Sequence, residues 1–445
     1  MVDLRPYQIE GVDFLRDRSA ILAWEPGVGK TFALIGAGAR VGFPQLYTCP
    51  AHLRLQVRNS ALDFDPTLRV QVIEGRDPEI DDRADIVIAS YNGIAGDERD
   101  VRLFRSAFKR RWRSLVLDEG HYLKSRDARR TKAIYGARTT SNGALFRRAD
   151  RVWVATGSPV VAHPADLWTH YSRLFPFAVL NDADEPLTYD EWVDRYCITK
   201  HDGFGEKIVG AKNLDDLREN LAPFMQVLRS TDVLDLATPT IDTIPLTPAG
   251  IKRGYTPVLS PEALAQIERC LDADAGLDEL AVPLATERRL IAEAKAAAVA
   301  DAIADELDGG RDKIAVFGHH LQALDILYHR LSRFDPVLYT GGMAPATKEA
   351  RKNLYINEPR CRVFIGNIDA AGIGLDGLQT VCARAIFAEA SWSEVMNDQC
   401  VRRLWRSGQT RPVHVSFASL AGSIDERVQK ALARKAKIIA NIMQP

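Results

Sequence analysis

Trp24-Glu25-Pro26-Gly27-Val28-Gly29-Lys30-Thr31 lies between the apolar run Ala20–Ala23 and the helix-compatible segment Phe32–Arg40. Strand, glycine loop and helix in that order is the setting in which backbone N–H groups and a helix N-terminus face a phosphate. Lys30 would add a point charge, and the Thr31 hydroxyl would sit on Mg²⁺. Pro26, Gly27, Val28, Gly29, Lys30 and Thr31 are therefore the candidate nucleotide ligands. The loop keeps the G-x-G-K-T half of such a motif but lacks the first glycine of its strict form. The loop alone thus leaves two readings open, a phosphate cradle and a plain glycine turn that opens a helix.

Composition narrows the class. The chain has 445 residues, enough for two or three domains, with 46% hydrophobic and 26% charged residues, as in an ordinary globular protein. No apolar run reaches the length of a membrane span, and the N-terminus lacks a signal-peptide layout, so a cytoplasmic setting is expected. Net charge is −1, so nucleic acid would have to be bound by local patches. The six cysteines include no C-x-x-C pair, which points away from a zinc site or a disulfide framework.

Short β-branched or aromatic runs alternate with helical stretches on both sides of the loop. Strands are expected at 45–49, 86–89, 114–117 and 152–155, and again at 314–317, 337–339, 363–366, 385–388 and 413–417. That alternation predicts an α/β protein with two doubly wound, mostly parallel sheets. The expected boundaries are 1–178 for the first domain, 179–308 for a helical insertion and linker, and 309–445 for the second. Pro239, Pro245 and Pro248 read as a connector, and Glu287–Leu307 as a long helix stopped by Gly309-Gly310.

Leu115-Val116-Leu117-Asp118-Glu119-Gly120-His121 is an apolar strand that ends in two carboxylates. Such a strand puts acids at the carboxyl edge of the sheet, where α/β proteins bind ligands. Asp118 would hold Mg²⁺ and Glu119 would polarise the attacking water, because phosphoryl transfer needs metal charge and a positioned nucleophile. The alternative is an Asp-Glu pair capping a helix.

Asp-Glu-Gly-His resembles the DEAH-type Walker B box of superfamily 2 helicases, and further segments follow in that family's order. Leu4–Val12 resembles the Q-motif of Swi/Snf-like ATPases, which implies that Gln8 reads the adenine edge. Cys49-Pro50-Ala51 resembles motif Ia, Ala89-Ser90-Tyr91-Asn92 motif Ib, and Thr156-Gly157-Ser158-Pro159 motif III. Val316–His320 resembles motif IV, Ala371-Gly372-Ile373-Gly374-Leu375 motif V, and Gln399–Gln409 motif VI. His121–Ser125, Arg195-Tyr196-Cys197 and Lys212-Asn213-Leu214 resemble the annealing-helicase branch. An acidic residue before the loop is common in this group, so Glu25 becomes part of the match.

The resemblance implies two tandem RecA-like domains with ATP and Mg²⁺ bound between them. Lys30, Asp118, Glu119, Arg403 and Arg406 would be catalytic, and Thr31 and Asp118 would hold the metal. Gly374 and Asp376 would add nucleotide contacts, and His121, Thr156 and Gln399 would couple hydrolysis to motion. Arg403 and Arg406 are three apart, which on a helix places both guanidiniums on one face. Arg402 stands where the family has an acid, and Trp405 where it has His.

Contacts to a DNA backbone would involve Pro50, Ala51, Ser90 and Tyr91, with Lys124, Arg126, Arg129 and Arg130 as a basic group beside the Asp-Glu box. A second basic stretch, Arg102, Arg105, Lys109, Arg110, Arg111 and Arg113 with Phe104, Phe108 and Trp112 interleaved, reads better as an amphipathic helix with its aromatics in the core and its charges in water. His319 and His320 lack spaced ligands for a metal and read as packing or capping residues.

The expected activity is that of an ATP-dependent DNA translocase on duplex or branched DNA, a monomeric, prokaryotic or phage-like motor that protein partners recruit. The rivals are a strand-separating DNA or RNA helicase, and a nucleotide-switched nucleic-acid-binding module without turnover.

Overall fold

Runs of buried apolar residues make two sheets in this computed structural model. It describes residues 3–74, 79–95, 107, 109–136, 143–157, 163–201, 206–233, 235–247, 281–371, 375–391 and 394–426. The chain divides into two units, the first ending at Val233 and the second following it.

The first unit is built on β1 (Ala20–Trp24), β2 (Gln45–Cys49), β3 (Val70–Val72), β4 (Ile86–Ser90), β5 (Ser114–Asp118), β6 (Val152–Ala155) and β9 (Met225–Leu228). They form one sheet in the order β3-β4-β2-β5-β6-β1-β9, and every pairing is parallel. Strands 1, 2, 4 and 5 are buried at every position, because helices cover both faces of a parallel sheet. Alternate residues go to opposite faces. Ile21, Ala23, Leu46, Val87, Leu115, Leu117 and Val154 join one core, while Leu22, Trp24, Tyr47 and Trp153 are buried on the other side.

Helix α1 (Pro6–Arg16) starts with proline, whose fixed φ suits the first turn, and α2 (Lys30–Val41) follows the glycine loop. A satellite core of Leu167, Tyr171, Trp192, Tyr196, Leu217 and Leu221 lies under the helices Tyr189–Tyr196 and Leu214–Leu221. Thr188 and Glu191 cap the first of these reciprocally.

The second unit carries β10 (Thr240–Leu246), β11 (Ile314–Gly318), β12 (Val337–Tyr339), β13 (Val363–Asn367), β14 (Arg384–Phe387) and β15 (His414–Leu420). Their order is β10-β15-β14-β11-β13-β12, again parallel throughout. Phe317, Phe364 and Phe387 face one core, and Val316, Ile365 and Ile386 the other. The helix Ala281–Asp308 packs Ala292, Ala296, Val299 and Ile303 onto that second face.

Two parallel sheets are what the alternation predicted. The segment 179–308 differs from the helical insertion expected for it. It holds an antiparallel hairpin, β7 (Cys197–His201) with β8 (Glu206–Ala211), and it gives β9 to the first sheet and β10 to the second. Both of these strands lie at sheet edges and are only partly buried, so they carry no strong apolar run. Pro245 is tolerated in β10 because an edge strand has one side without a ladder to serve. Among the described residues, no helix is long and apolar enough to cross a membrane.

Candidate nucleotide site and nucleic-acid surface

The order of strands in the first sheet places the sequence motifs side by side. Reading along the carboxyl edge, β4 ends at Ser90, β2 leads to Pro50, β5 ends at Asp118, β6 leads to Thr156, and β1 leads into the glycine loop. β9 completes the row on the far side of β1. Gly27 and Gly29 hold φ values of 89° and 83°, the left-handed region in which a side chain is strained. At Gly29 a Cβ would also lie 2.4 Å from Gln8 Nε2.

Gln8 serves the loop itself. Its Nε2 donates to the carbonyls of Val28 and Gly29, each at 3.3 Å, and its Oε1 accepts from Arg5 N–H at 2.9 Å. Reading an adenine edge, the role implied by the Q-motif, would require exchanging those bonds. Tyr7 adds a hydroxyl bond to Val28 O at 3.0 Å. Lys30 Nζ lies against the carbonyls of Trp24 (2.7 Å) and Glu25 (3.3 Å).

Glu25, the acidic residue before the loop's glycines, has a defined partner. Its carboxylate accepts from the N–H and hydroxyl of Ser230, which is fully buried, and its own N–H donates to Leu228 O at 2.9 Å. The loop is thereby tied to the chain just beyond β9. Local sequence gave no sign of this, because the two residues are about two hundred positions apart.

The two carboxylates are held differently. Asp118 is buried, and its pKa is pushed up to about 6 by burial and by the neighbouring Glu119, against the opposing pull of Lys30. Tyr47 donates its hydroxyl to Asp118 Oδ2 at 2.9 Å. A buried phenol thereby holds one of the two residues expected to bind Mg²⁺. Glu119 has φ 53°, a left-handed conformation that costs a non-glycine residue about 1 kcal/mol or more. Its carboxylate is 3.3 Å from His121 Nδ1, which in turn is 3.4 Å from Thr156 Oγ1.

Behind this box, His170 is fully buried. With Nε2 protonated it donates to Gly120 O at 3.2 Å, and its Nδ1 accepts from the Tyr135 hydroxyl at 2.7 Å. Burial lowers its pKa to about 4, so it is neutral at physiological pH. Gly120 is required here, since a Cβ would meet Val154 Cγ1 at 2.3 Å. Tyr47, Ser230 and His170 were all missed in the sequence, where nothing local marks them.

In the second unit, the helix Glu394–Val401 ends before both arginines expected to share its face. Arg403 and Arg406 lie in successive turns, because the chain tightens into bonds from Arg403 N to Cys400 O and from Leu404 N to Val401 O. Arg403 Nη1 donates to Leu375 O at 3.1 Å, and Arg406 Nη1 is 3.3 Å from Asp376 Oδ1. Burial pushes the Asp376 carboxyl up, but Arg406, Gln379 and Gly377 N–H outweigh it and leave the pKa below the usual value.

Asp376 thus stands as the anchor of Arg406, whereas Gly374 lies outside the described residues. Gln399 Oε1 is buried without a hydrogen-bond partner among the described residues. The two departures from the family pattern meet each other. Arg402 bonds to Asp398 at 2.7 Å, and its guanidinium lies 4.9 Å over the Trp405 ring. His320 stands at the N-cap position of the helix Leu321–Arg330, but its side chain makes no cap bond; Glu389 instead accepts from the backbone N–H groups of His319 and His320.

The nucleic-acid candidates divide. Tyr91 is buried and donates to Asp118 O at 2.7 Å, and Ser90, also buried, accepts from Gly93 N–H. Pro50 is buried as well, which leaves Ala51 exposed. The side chains of Ser90, Tyr91 and Pro50 are therefore spent on the sheet edge and do not offer themselves to a strand. Lys124 and Arg129 are exposed, Arg126 lies 3.5 Å over the Tyr189 ring, and Arg130 donates to Tyr122 O. In the other basic stretch, Arg102, Phe104, Arg105 and Phe108 lie outside the described residues. Arg110 is spent on the carbonyls of Asp81, Asp82 and Ala84, while Arg111 and Arg113 pair with Asp150.

Family comparison decides the class. The family description "SNF2-related domain" matches residues 7–248. The chain belongs to the SNF2-related family. This is a family of helicase-like ATPases, as the motif order implied. The chain is 27% identical to the DNA annealing helicase and endonuclease ZRANB3 of Bos taurus, over 99% of this chain and 40% of the relative. It is 25% identical to the SWI/SNF-related matrix-associated actin-dependent regulator of chromatin subfamily A-like protein 1 of Xenopus tropicalis, over 98% of this chain and 44% of the relative. The chain spans less than half the length of these SNF2-related relatives. Among solved structures it is similar to the Sulfolobus solfataricus SWI2/SNF2 ATPase core in complex with dsDNA, with TM-score 0.45, 20% identity, and 99% and 93% of the two chains covered.

Proposed function

We propose that this chain is an ATP-hydrolysing DNA translocase that acts on duplex or branched DNA to remodel or reanneal strands. The observation that carries the reading is the carboxyl edge of the first sheet. There the glycine loop, Thr156 and the Asp118–Glu119 pair follow neighbouring strands, and Tyr47 donates to Asp118. A relative at 27% identity over almost the whole chain is named a DNA annealing helicase, which supports DNA as the partner.

The residues fit ATP with Mg²⁺. Thr31 and Asp118 offer the two oxygens that would hold the ion, and a buried carboxylate crowded by a second one has charge that a divalent cation relieves. Bound Mg²⁺ would supply counter-charge on the phosphates. Lys30 exchanges its carbonyl acceptors for phosphate oxygens. Glu119 orients the water and takes its proton as the new P–O bond forms and ADP departs. His121 and Thr156 relay the state of Glu119 to the next strand. Arg403 and Arg406 neutralise charge on the γ-phosphate in the transition state. The motor works as a monomer and is recruited by protein partners.

The test is ATPase rate on single-stranded, duplex and forked DNA and on RNA, measured beside triplex displacement and strand displacement. Duplex or forked DNA should stimulate hydrolysis and drive triplex displacement. Strand separation without triplex displacement would make the protein a helicase instead, and absence of ATPase activity on every substrate would overturn the reading altogether.

A further inference from the structure

A pocket opens in the first unit beside the segment that follows the Asp-Glu box, where two of its lining residues bond to Leu123 O. Its volume is about 260 Å³, and none of its lining residues is acidic. Arg126 and Arg173 supply the charge. Arg126 lies flat on the Tyr189 ring, with its carbon 3.5 Å from the ring centroid. Stacking uses the face of a guanidinium and leaves its five N–H groups directed outward in the plane, which is the geometry that grips a phosphate. No carboxylate pairs with Arg126 among the described residues. Arg173 is partly buried, and its pKa is lowered by that burial and by Arg147. Asp166 and Asp190 act on Tyr189, yet neither lines the pocket.

The remaining polar groups sort by whether they are already engaged. The hydroxyls of Thr131 and Thr169 both donate to Leu123 O, at 3.3 and 2.8 Å, and Tyr135 donates to His170. These form a wall that is closed to a ligand but wired to the segment Gly120–Leu123. The hydroxyls of Ser172 and Tyr189, which also line the pocket, make no hydrogen bond among the described residues.

We propose that this pocket holds a phosphate group, gripped by Arg126 with Ser172 and Tyr189 as neutral donors and with Arg173 adding positive charge. The phosphate would belong to a nucleic-acid backbone, or to free phosphate in solution. The first source rests on the DNA-translocase reading; the second does not. A strand phosphate here would press on the wall formed by Thr131, Tyr135 and Thr169, and through Leu123 and His170 on the Asp-Glu box. That gives DNA a route to stimulate hydrolysis.

The experiment uses the full chain with Arg126→Ala and, separately, Ser172→Ala, each checked for native folding by circular dichroism. In the first arm, duplex DNA affinity is measured against salt. If the phosphate belongs to a strand, Arg126→Ala lowers affinity for every sequence and reduces the slope of log K on log salt by about 1. In the second arm, inorganic phosphate is titrated by calorimetry into Lys30→Ala protein, in which the glycine loop is silenced, with and without Arg126→Ala. Phosphate binding lost with Arg126, with an unchanged DNA slope, assigns the pocket to free phosphate. If both the slope and phosphate binding are unaffected, the pocket proposal is overturned. Should the parent protein fail to bind DNA, the translocase reading fails, and the phosphate arm still decides the pocket.

Discussion

The carboxyl edge of the first sheet and the Arg403–Arg406 segment of the second unit surround a carboxylate with neighbours of opposite sign. At the first, Asp118 and Glu119 crowd each other with Lys30 as a partial counter-charge, and the Asp118 pKa rises to about 6. At the second, Asp376 faces Arg406 and Arg403, and its pKa falls below the usual carboxylate value. The same residue type is thus unsettled in one place and stabilised in the other, because its neighbours differ in sign. The histidines differ in the same way. His170 is buried between a carbonyl and a phenol and stays neutral, whereas His320 lies 2.6 Å from the buried Glu389 carboxylate. An acid-rich edge suits a metal-bound triphosphate, and an arginine-bearing segment suits charge that develops on phosphate.

Three measurements would break or sharpen that contrast. The largest effect is expected on the acidic edge, where Lys30→Ala and Glu119→Gln should each abolish DNA-stimulated hydrolysis. Glu119→Gln should still bind ATP, as read by fluorescent nucleotide titration, and parent-like turnover in either variant would refute the assigned roles. On the arginine segment, Arg403→Ala and Arg406→Ala should each lower kcat by roughly a thousandfold, the scale of an arginine that neutralises transferring phosphate. KM for ATP should move little, and a loss confined to KM would reduce these residues to ground-state binders.

The smallest effect is one of pH on stability. Because the His170 pKa is about 4 when folded, below the roughly 6.5 of a free histidine, its contribution is complete above pH ~6.5. It is lost as pH falls toward 4, by about 3 kcal/mol in all. Asp118 acts in the opposite sense, since its raised pKa favours the folded state as pH falls through about 6. The informative quantity is therefore the difference between parent and His170→Gln in urea unfolding at pH 7, 5.5 and 4.5. The stability gap should narrow as pH drops, and a gap independent of pH would show that His170 is not held neutral by its surroundings.

Most strands of both sheets were legible because parallel strands buried on both faces leave continuous β-branched and aromatic runs. β3, β9 and β10 were not, because an edge strand is specified by the partner it lies beside, such as β4 for Val70–Val72 and β1 for Met225–Leu228. The glycine loop and the Asp-Glu box could be read because their chemistry needs contiguous residues. Tyr91 could be placed in its motif, but its burial against Asp118 O could not be foreseen. Two basic stretches of similar composition also parted company. Arg110, Arg111 and Arg113 found carbonyls and Asp150, while Arg126 found an aromatic face. A run of charge records the supply of cations and says nothing of the acceptors that folding brings to them.

By itself the sequence determined the two parallel α/β sheets, the family, and the two contiguous motifs proposed to meet a nucleotide, from Gly27 to Thr31 and from Asp118 to His121. Only the tertiary structure decided that Gln8 braces the loop, that Glu25 is tied to Ser230, that Tyr47 donates to Asp118, and that Arg403 and Arg406 sit beyond the end of their helix. The physical reason is range. Backbone propensity and motif chemistry act over a few residues, whereas hydrogen bonds between side chains on different strands depend on strand order, and strand order is settled by packing both faces of the sheet.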